Sequence, residues 1–427
     1  MLHRSLLALA LVGCGGESDS PTGTTGTTGD TGSAGSTTVT VASGGPFVGA
    51  TVALHGPTGS LLETATTNVA GQVVFDDLPP GGAITVLVPG DTNGLVTLFG
   101  LTPGEDVFVN PDVASRDFVG AVEVTLDESY PAADDLLVTA GCTSPAMGVG
   151  QTRTYEITEN CVAADGTVSF LAEAYGGTPY GPMAHALVER VAVGSEVGIG
   201  GWSDAYLDFP VNAANAPDGT GEVQVIQFGL ENGVELQRDA RPPEPIAQGQ
   251  TLSYTMDRVV PGIDRSGVSV AWQTTQRSGA SSCSLEQTFT GAPGGVGVDL
   301  TADLMARPSD IAVNVSGGEI SWTMPEDPRA DGLLLILSYT VDAQPYRWLM
   351  LAPVGSGVAV PELPSAFTSW WGGATPEVAL AVLGGTAVEG YGEFGGTFPP
   401  SLLVDAPEPG DQLWSCLVSW APPMRGG

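Results

Sequence analysis

Short runs of alternating apolar and polar residues, each cut off within a few positions by Gly or Pro, decide what this chain can become. Thr38-Val39-Thr40-Val41, Ala50-Thr51-Val52-Ala53-Leu54, Gln72-Val73-Val74-Phe75 and Ile84-Thr85-Val86-Leu87-Val88 follow one another. They are separated by Gly44-Gly45-Pro46, Gly56-Pro57, Ala70-Gly71 and Pro79-Pro80-Gly81-Gly82. A period of two is the spacing of a half-buried strand, and Gly and Pro at such intervals mark the turns. The same texture continues at Thr167–Ala172, Glu222–Phe228, Thr251–Met256 and Gly267–Trp272, and again at Glu319–Thr323 and Leu335–Thr340. The expected fold class is therefore mostly β, as tandem β-sandwich domains. Helical promise is confined to two short segments, 184–193 and 365–371.

With 60 Gly and 33 Pro in 427 residues, turns make up a large share of the chain. A hydrophobic content of 42% still allows a core, and the length calls for more than one domain. The reading is a leader over 1–13, a flexible tether over 14–36 and β domains over 37–120, 121–305 and 306–423. The tether, with Thr22-Gly23-Thr24-Thr25-Gly26-Thr27-Thr28-Gly29 at its centre, has too little apolar surface to offset chain entropy.

The start of the chain carries an address. Met1-Leu2-His3-Arg4 precedes Ser5-Leu6-Leu7-Ala8-Leu9-Ala10-Leu11-Val12-Gly13-Cys14, a basic opening followed by a short apolar core. That core is well short of the roughly 20 residues that span a bilayer. Leu11-Val12-Gly13-Cys14 resembles the bacterial lipobox, which implies cleavage before Cys14 and diacylglycerol on its thiol. Two or three acyl chains anchor a protein stably. Gly15 and Gly16 occupy the positions where an inner-membrane retention aspartate would stand, so the resemblance implies the outer membrane of the cell envelope, facing periplasm or surface.

A second resemblance lies in the first β segment. Phe47-Val48-Gly49-Ala50-Thr51-Val52, Thr66-Thr67-Asn68-Val69-Ala70-Gly71-Gln72-Val73-Val74-Phe75 and Asp76-Asp77-Leu78-Pro79-Pro80-Gly81 resemble, in order and spacing, the carboxypeptidase regulatory-like (transthyretin-like) domain. Asn68 stands where that family has Asp; either side chain caps the same turn. Such modules support or display and carry no catalytic residues, so no peptidase activity is implied. In the last segment, Val358–Pro364 resembles a strand and turn of fibronectin type III, although Val378–Val382 lacks the tyrosine usual in the later strand.

The charge excludes one class of partner. The net charge of −35 arises from 48 acidic against 13 basic residues, every base being Arg. Binding to phosphate backbones rests on clustered Lys and Arg, so no nucleic acid is expected. Assigning Cys14 to lipid leaves Cys142, Cys161, Cys283 and Cys416, an even number that reads as two disulfides in an exported protein. Cys142 with Cys161 is the first pairing by proximity, and Cys283 with Cys416 follows by elimination.

G-x-S-x-G is absent from the sequence, and the histidines beyond the leader are His55 and His185. His55 reads as a surface residue at a strand end and His185 as a satisfied histidine. Glu326-Asp327 with Asp331, and Asp76-Asp77, are the carboxylates near enough in sequence to suggest glycoside hydrolysis, but adjacent acids on turns are usually solvated caps. Asp208, Asn212, Asn215 and Asp218 offer oxygens for calcium, without EF-hand spacing. No catalytic, cofactor or metal site is assigned. Six of the eight tryptophans lie from Trp322 onward, and Trp370-Trp371 before Gly372-Gly373 would make a stacking platform for a sugar ring or an anchor for a protein. The expected function is a noncatalytic lipoprotein held at the membrane through Cys14, with structural, display or binding roles. The alternatives are a carbohydrate-binding surface lipoprotein and an envelope hydrolase of unfamiliar type.

Overall fold

A computed structural model describes residues 35–42, 45–88, 94–110, 118–141, 143–178, 181–217, 221–276, 279–314, 318–341, 344–365, 376–388, 390–394, 397–398 and 408–420. Cys14, Cys142, Trp370, Trp371 and Asp218 lie outside them. The described residues are almost wholly β.

The first stretch forms β1 (Thr37–Val41), β2 (Thr51–His55), β3 (Leu61–Thr66), β4 (Gln72–Phe75), β5 (Gly82–Val88), β6 (Gly94–Leu101) and β7 (Val107–Val109). Then come β8 (Phe118–Leu126), β9 (Asp135–Thr139), β10 (Thr152–Thr158), β11 (Thr167–Gly176), β12 (Gly181–Ala192) and β13 (Glu196–Ile199). The middle continues with β14 (Leu207–Ala214), β15 (Gly221–Glu231), β16 (Val234–Ala240), β17 (Glu244–Ile246), β18 (Thr251–Val259), β19 (Arg265–Gln276), β20 (Gly279–Thr290) and β21 (Val296–Asp299). The last part holds β22 (Ser309–Asn314), β23 (Glu319–Thr323), β24 (Gly332–Val341), β25 (Gln344–Pro353), β26 (Gly357–Ala359), β27 (Glu377–Gly385), β28 (Thr397–Phe398) and β29 (Gln412–Trp420). A 3-10 turn at Glu159–Cys161 follows β10, and a helical turn, α1 (Tyr391–Phe394), precedes β28.

One long sheet organises the molecule, in the order β16-β15-β19-β20-β29-β27-β24-β25-β6-β5-β2-β3, with β17 beside β15. It draws strands from all three β segments of the sequence. Most neighbours are antiparallel, but β25 and β6 run parallel, with Trp348 opposite Leu95. At that junction the indole of Trp348 donates to Thr97 Oγ1 at 2.8 Å, and Thr97 is bonded to Thr85 at 2.8 Å, so this buried polar row is satisfied.

Both faces of the sheet are covered where its strands are most apolar. In β24, Leu333, Leu335 and Leu337 face a core shared with β14, β18, β21 and β23, including Phe209, Val211, Met256, Val298 and Trp322. Leu334 and Ile336 of the same strand face a second core with Val39, Val41, Phe75, Val107 and Val109 of β1, β4 and β7. The sequence run Leu333-Leu334-Leu335-Ile336-Leu337 is unbroken for that reason, since a strand buried on both faces cannot alternate. Three β layers result. A separate sandwich, β10-β8-β13 against β12-β11-β9, encloses its own core around Val124, Tyr155 and Phe170.

Two expectations are corrected here. Segment 184–193 is not helical: all of it but its last residue lies in β12, where Ala184 and Ala186 face the sandwich core while His185 and Leu187 face away. Small residues alternating with larger ones satisfied the strand period, and pairing with β11 decided the outcome. His55 is not at the surface. It closes β2 at 0% exposure, because the turn after it folds back so that Gly56 N–H bonds Ser60 O at 2.9 Å.

The turn Asn68–Gln72 shows how tightly local sequence is bound to the fold. Asn68 Oδ1 accepts from Ala70 N at 2.8 Å and Gln72 N at 3.1 Å, capping the turn as its side chain should. Gly71 sits at φ +71°, and a Cβ there would stand 2.5 Å from the carbonyl oxygen of Val41. Gly71→Ala thus adds left-handed strain to a backbone clash. A loss on the order of 2 kcal/mol is expected, read as a lowered urea midpoint; an unchanged midpoint would contradict this placement of β1 against the turn.

Candidate functional site

Among the described residues, buried ionisable and polar groups gather at the seam where the β8–β13 sandwich meets the long sheet. The apolar part of that seam is small, comprising Leu171, Val234, Leu236, Val260 and Ile263 with Leu187 and Tyr206 beside them. Polar side chains complete it. The two-residue period of β11 puts Leu171, Glu173 and Tyr175 on one face, away from the sandwich core that takes Phe170, Ala172 and Ala174. Pairing with β12 sets His185 directly opposite Glu173, so both point the same way.

Glu173 Oε2 accepts from the Tyr175 hydroxyl at 3.0 Å, and its Oε1 accepts from Gln237 Nε2 at 3.3 Å. Gln237 Nε2 also donates to the Arg258 carbonyl at 2.6 Å, so one amide ties β11, β16 and β18 together. Asp239, next along β16, is paired with Arg258 at 3.5 Å and Arg241 at 3.7 Å. The Tyr206 ring packs against His185 with centroids 4.8 Å apart. Gly181 lets the Arg258 guanidinium approach closely: a Cβ there would stand 2.5 Å from it and make that flexible side chain shift.

Burial raises the Glu173 pKa, opposed in turn by the hydrogen bonds from Tyr175 and Gln237 and by the Arg258 charge. Burial lowers that of His185. A carboxyl with a raised pKa and an imidazole with a lowered one, on one face, are ingredients of acid–base chemistry. Here, however, both Glu173 oxygens are taken by protein donors, and His185 Nδ1 meets no hydrogen-bond partner among the described residues. The arrangement joins two β units.

The other expected sites are dispersed. Asp327 is gripped by Arg329, whose Nε and Nη2 reach its two oxygens at 2.9 and 2.8 Å, and the hydrogen bond from Arg329 pulls its pKa down to about 2. A general acid needs the opposite shift. Asp331 accepts from Gly385 N at 2.9 Å. Asp76 and Asp77 are exposed on the turn after β4. Asp208 and Asn212 are four residues apart along β14, about 13 Å at strand rise, and Asn215 donates to Asp299 at 2.6 Å, so these do not converge on one ion. Among the described residues no cluster of three or more His, Cys, Asp or Glu is placed to hold a metal.

Cys283 and Cys416 are disulfide-bonded, facing each other across β20 and β29. Cys161 is also disulfide-bonded; its expected partner, Cys142, is outside the described residues. Glu173, Tyr175, Gln237 and Arg258 were missed from sequence. One signal was available: Glu173 is a charge at a strand centre in Leu171-Ala172-Glu173-Ala174-Tyr175, with no turn to hold it in solvent.

No family model and no curated protein matches the chain. Among solved structures, one titled "The Bacillus anthracis TIE protein" is similar at 10% identity and a TM-score of 0.16, over 62% of this chain and 49% of that one. The match spans about half the length of that protein and has no bearing on function.

Buried carboxylates give the molecule a pH dependence whose sign can be worked out. Glu231 is 3% exposed, and burial raises its pKa to about 7; burial does the same to Glu286, also to about 7. Between pH 4.5 and 7 the folded chain holds protons that the unfolded chain has released, so each group's contribution is lost as pH rises through that window. The loss is about 3 kcal/mol apiece. His55, lowered by burial to about 4, acts in the opposite sense between pH 4 and 6.5. Glu231→Gln with Glu286→Gln should gain stability over the parent chain on going from pH 5 to pH 7 in urea unfolding. Parallel pH profiles would show that these carboxyls are not protonated in the fold.

Proposed function

We propose that this chain is a lipid-anchored envelope protein whose β layers form a noncatalytic scaffold for display or binding. The observation that carries the reading is the Cys283–Cys416 disulfide at the middle of the long sheet, joining positions 133 residues apart. Disulfides of this kind form and persist in oxidising compartments outside the cytoplasm. The leader ending at Cys14 would deliver the chain there, and the Gly- and Thr-rich tether would hold the β layers off the lipid surface.

The side chains that most resemble catalytic parts support the same reading, because they serve the architecture. Glu173 bridges two β units, and Asp327 orients Arg329, which also donates to the carbonyls of Ala302, Asp303 and Leu304.

A carbohydrate ligand is the second reading. Beyond the apolar layers, the face of the long sheet carrying Gln224, Gln273, Ser284 and Ser415, with Glu222 and Glu286 beside them, is rich in hydrogen-bonding groups. Such a surface suits hydroxyl-rich chains, and Trp370 and Trp371 would supply the stacking.

Cys14→Ser should move the protein from the membrane to the soluble fraction and abolish palmitate labelling, whereas continued labelling would refute the anchor. Trp370→Ala and Trp371→Ala should leave the thermal melt in place. If they also erase a glycan-array signal, the binding reading stands; an array with no signal for the parent chain leaves the scaffold reading alone.

A further inference from the structure

The long sheet is two blocks joined by one strand. On one side stand β16, β15, β19 and β20; on the other, β27, β24, β25, β6, β5, β2 and β3. β29 fills the gap between them, antiparallel to both neighbours. Its register runs from Gly279 opposite Trp420 to Gln287 opposite Gln412 on β20, and from Val378 opposite Trp420 to Gly385 opposite Leu413 on β27. Trp414 and Cys416 enter one core, while Leu417 packs against the other.

This strand comes last among the described elements. Cys283 on β20 must wait for a residue 133 positions further on before it has a partner. Until β29 arrives, β20 and β27 present two open edges one strand-width apart, and open edges pair with any segment of matching pattern. A second copy of this chain supplies a segment identical in length, alternation and register. It also brings Cys416 opposite Cys283. When both copies exchange the strand, all four edges are satisfied and the assembly closes with two-fold symmetry.

We propose that the slot between β20 and β27 is a strand-exchange site whose partner is β29 of a second copy, and that intermolecular Cys283–Cys416 bonds seal the exchanged dimer. Each bond forms when two thiols give up two protons and two electrons. A small-molecule disulfide accepts both and leaves as two thiols; glutathione disulfide fills that role in the test.

Full-length protein in detergent, half of it 15N-labelled, is mixed at high concentration, reduced with dithiothreitol under native conditions and reoxidised with glutathione disulfide. A second sample passes through urea before reoxidation, so that a strand too firmly seated to leave the native fold is still released. The expected result is a dimer whose Cys283–Cys416 peptides are about half mixed in isotope. The proposal is overturned if both samples give only unmixed Cys283–Cys416 peptides, or if a dimer forms solely through Cys161. Cys283→Ser with Cys416→Ser removes the seal and leaves the slot. This variant should still show a concentration-dependent dimer in sedimentation, and a monomer at every concentration counts against the slot as the acceptor.

Discussion

Backbone hydrogen bonding along β29 is the constraint on which the rest of the structure depends. A buried strand must pair its N–H and C=O groups on both sides, because an unpaired one forfeits a hydrogen bond with no water to replace it. β29 meets that demand for itself and for β20 and β27 together. With it in place the sheet is continuous, and both cores have a surface to pack on. The clamp at Arg329 depends on the same strand: the guanidinium lies 6.0 Å from the Trp414 ring, and the Trp414 indole donates to the Asp303 carbonyl that Arg329 also engages.

Within that frame, buried polar groups fall into two kinds with different consequences. Trp348, Thr97 and Thr85 form a satisfied row, which fixes the parallel β25–β6 junction at little cost. His55 is the reverse. Burial drives its pKa down to about 4 against an opposing effect of the Gly59 backbone, and neither ring nitrogen meets hydrogen-bond geometry. Gln227 is fully buried with both amide atoms unmet, opposite Asp239 at the edge of the seam. With His185 Nδ1, Tyr206 Oη and Gln237 Oε1, several unmet atoms gather where three sheets meet. The seam relies on few apolar contacts and many polar ones, and interfaces of that composition permit relative motion more readily than apolar ones do.

Much of the fold was legible in sequence because local rules decided it. The runs at Thr38–Val41, Gln72–Phe75, Thr251–Met256 and Gly267–Trp272 all fall in strands, and the turn at Asn68–Gly71 follows from an Asx cap and a glycine at positive φ. Cys283 with Cys416 was reached by elimination and is formed. What was illegible is non-local. Nothing in Gln344–Pro353 signals a parallel neighbour some 250 positions earlier, and nothing in Ala184-His185-Ala186-Leu187 separates a strand from a short helix until β11 lies beside it. The seam was hidden for the same reason: Glu173, Gln237 and Arg258 are unremarkable one by one, and only register brings them together.

Scarcity of base shapes the remainder. In a chain with 13 Arg and no Lys, Arg241, Arg258, Arg265, Arg307 and Arg329 are half-buried in architectural bonds, while Arg153, Arg190, Arg238 and Arg347 stay exposed. Arg307 reaches Thr274 and Ser281 at 3.2 and 3.1 Å, Arg241 reaches the Thr255 carbonyl at 3.1 Å, and Arg265 joins Glu408 at 3.0 Å just ahead of β29. A planar, permanently charged fork can hold several carbonyls at once, which a single ammonium cannot, so a chain whose bases are all Arg can tie loops to a sheet with few of them. The acidic excess is left for the surface, where it repels polyanions and disfavours close approach of like-charged copies. Any partner that does approach, including a second copy, must then be held by pairing of backbone and apolar faces rather than by charge.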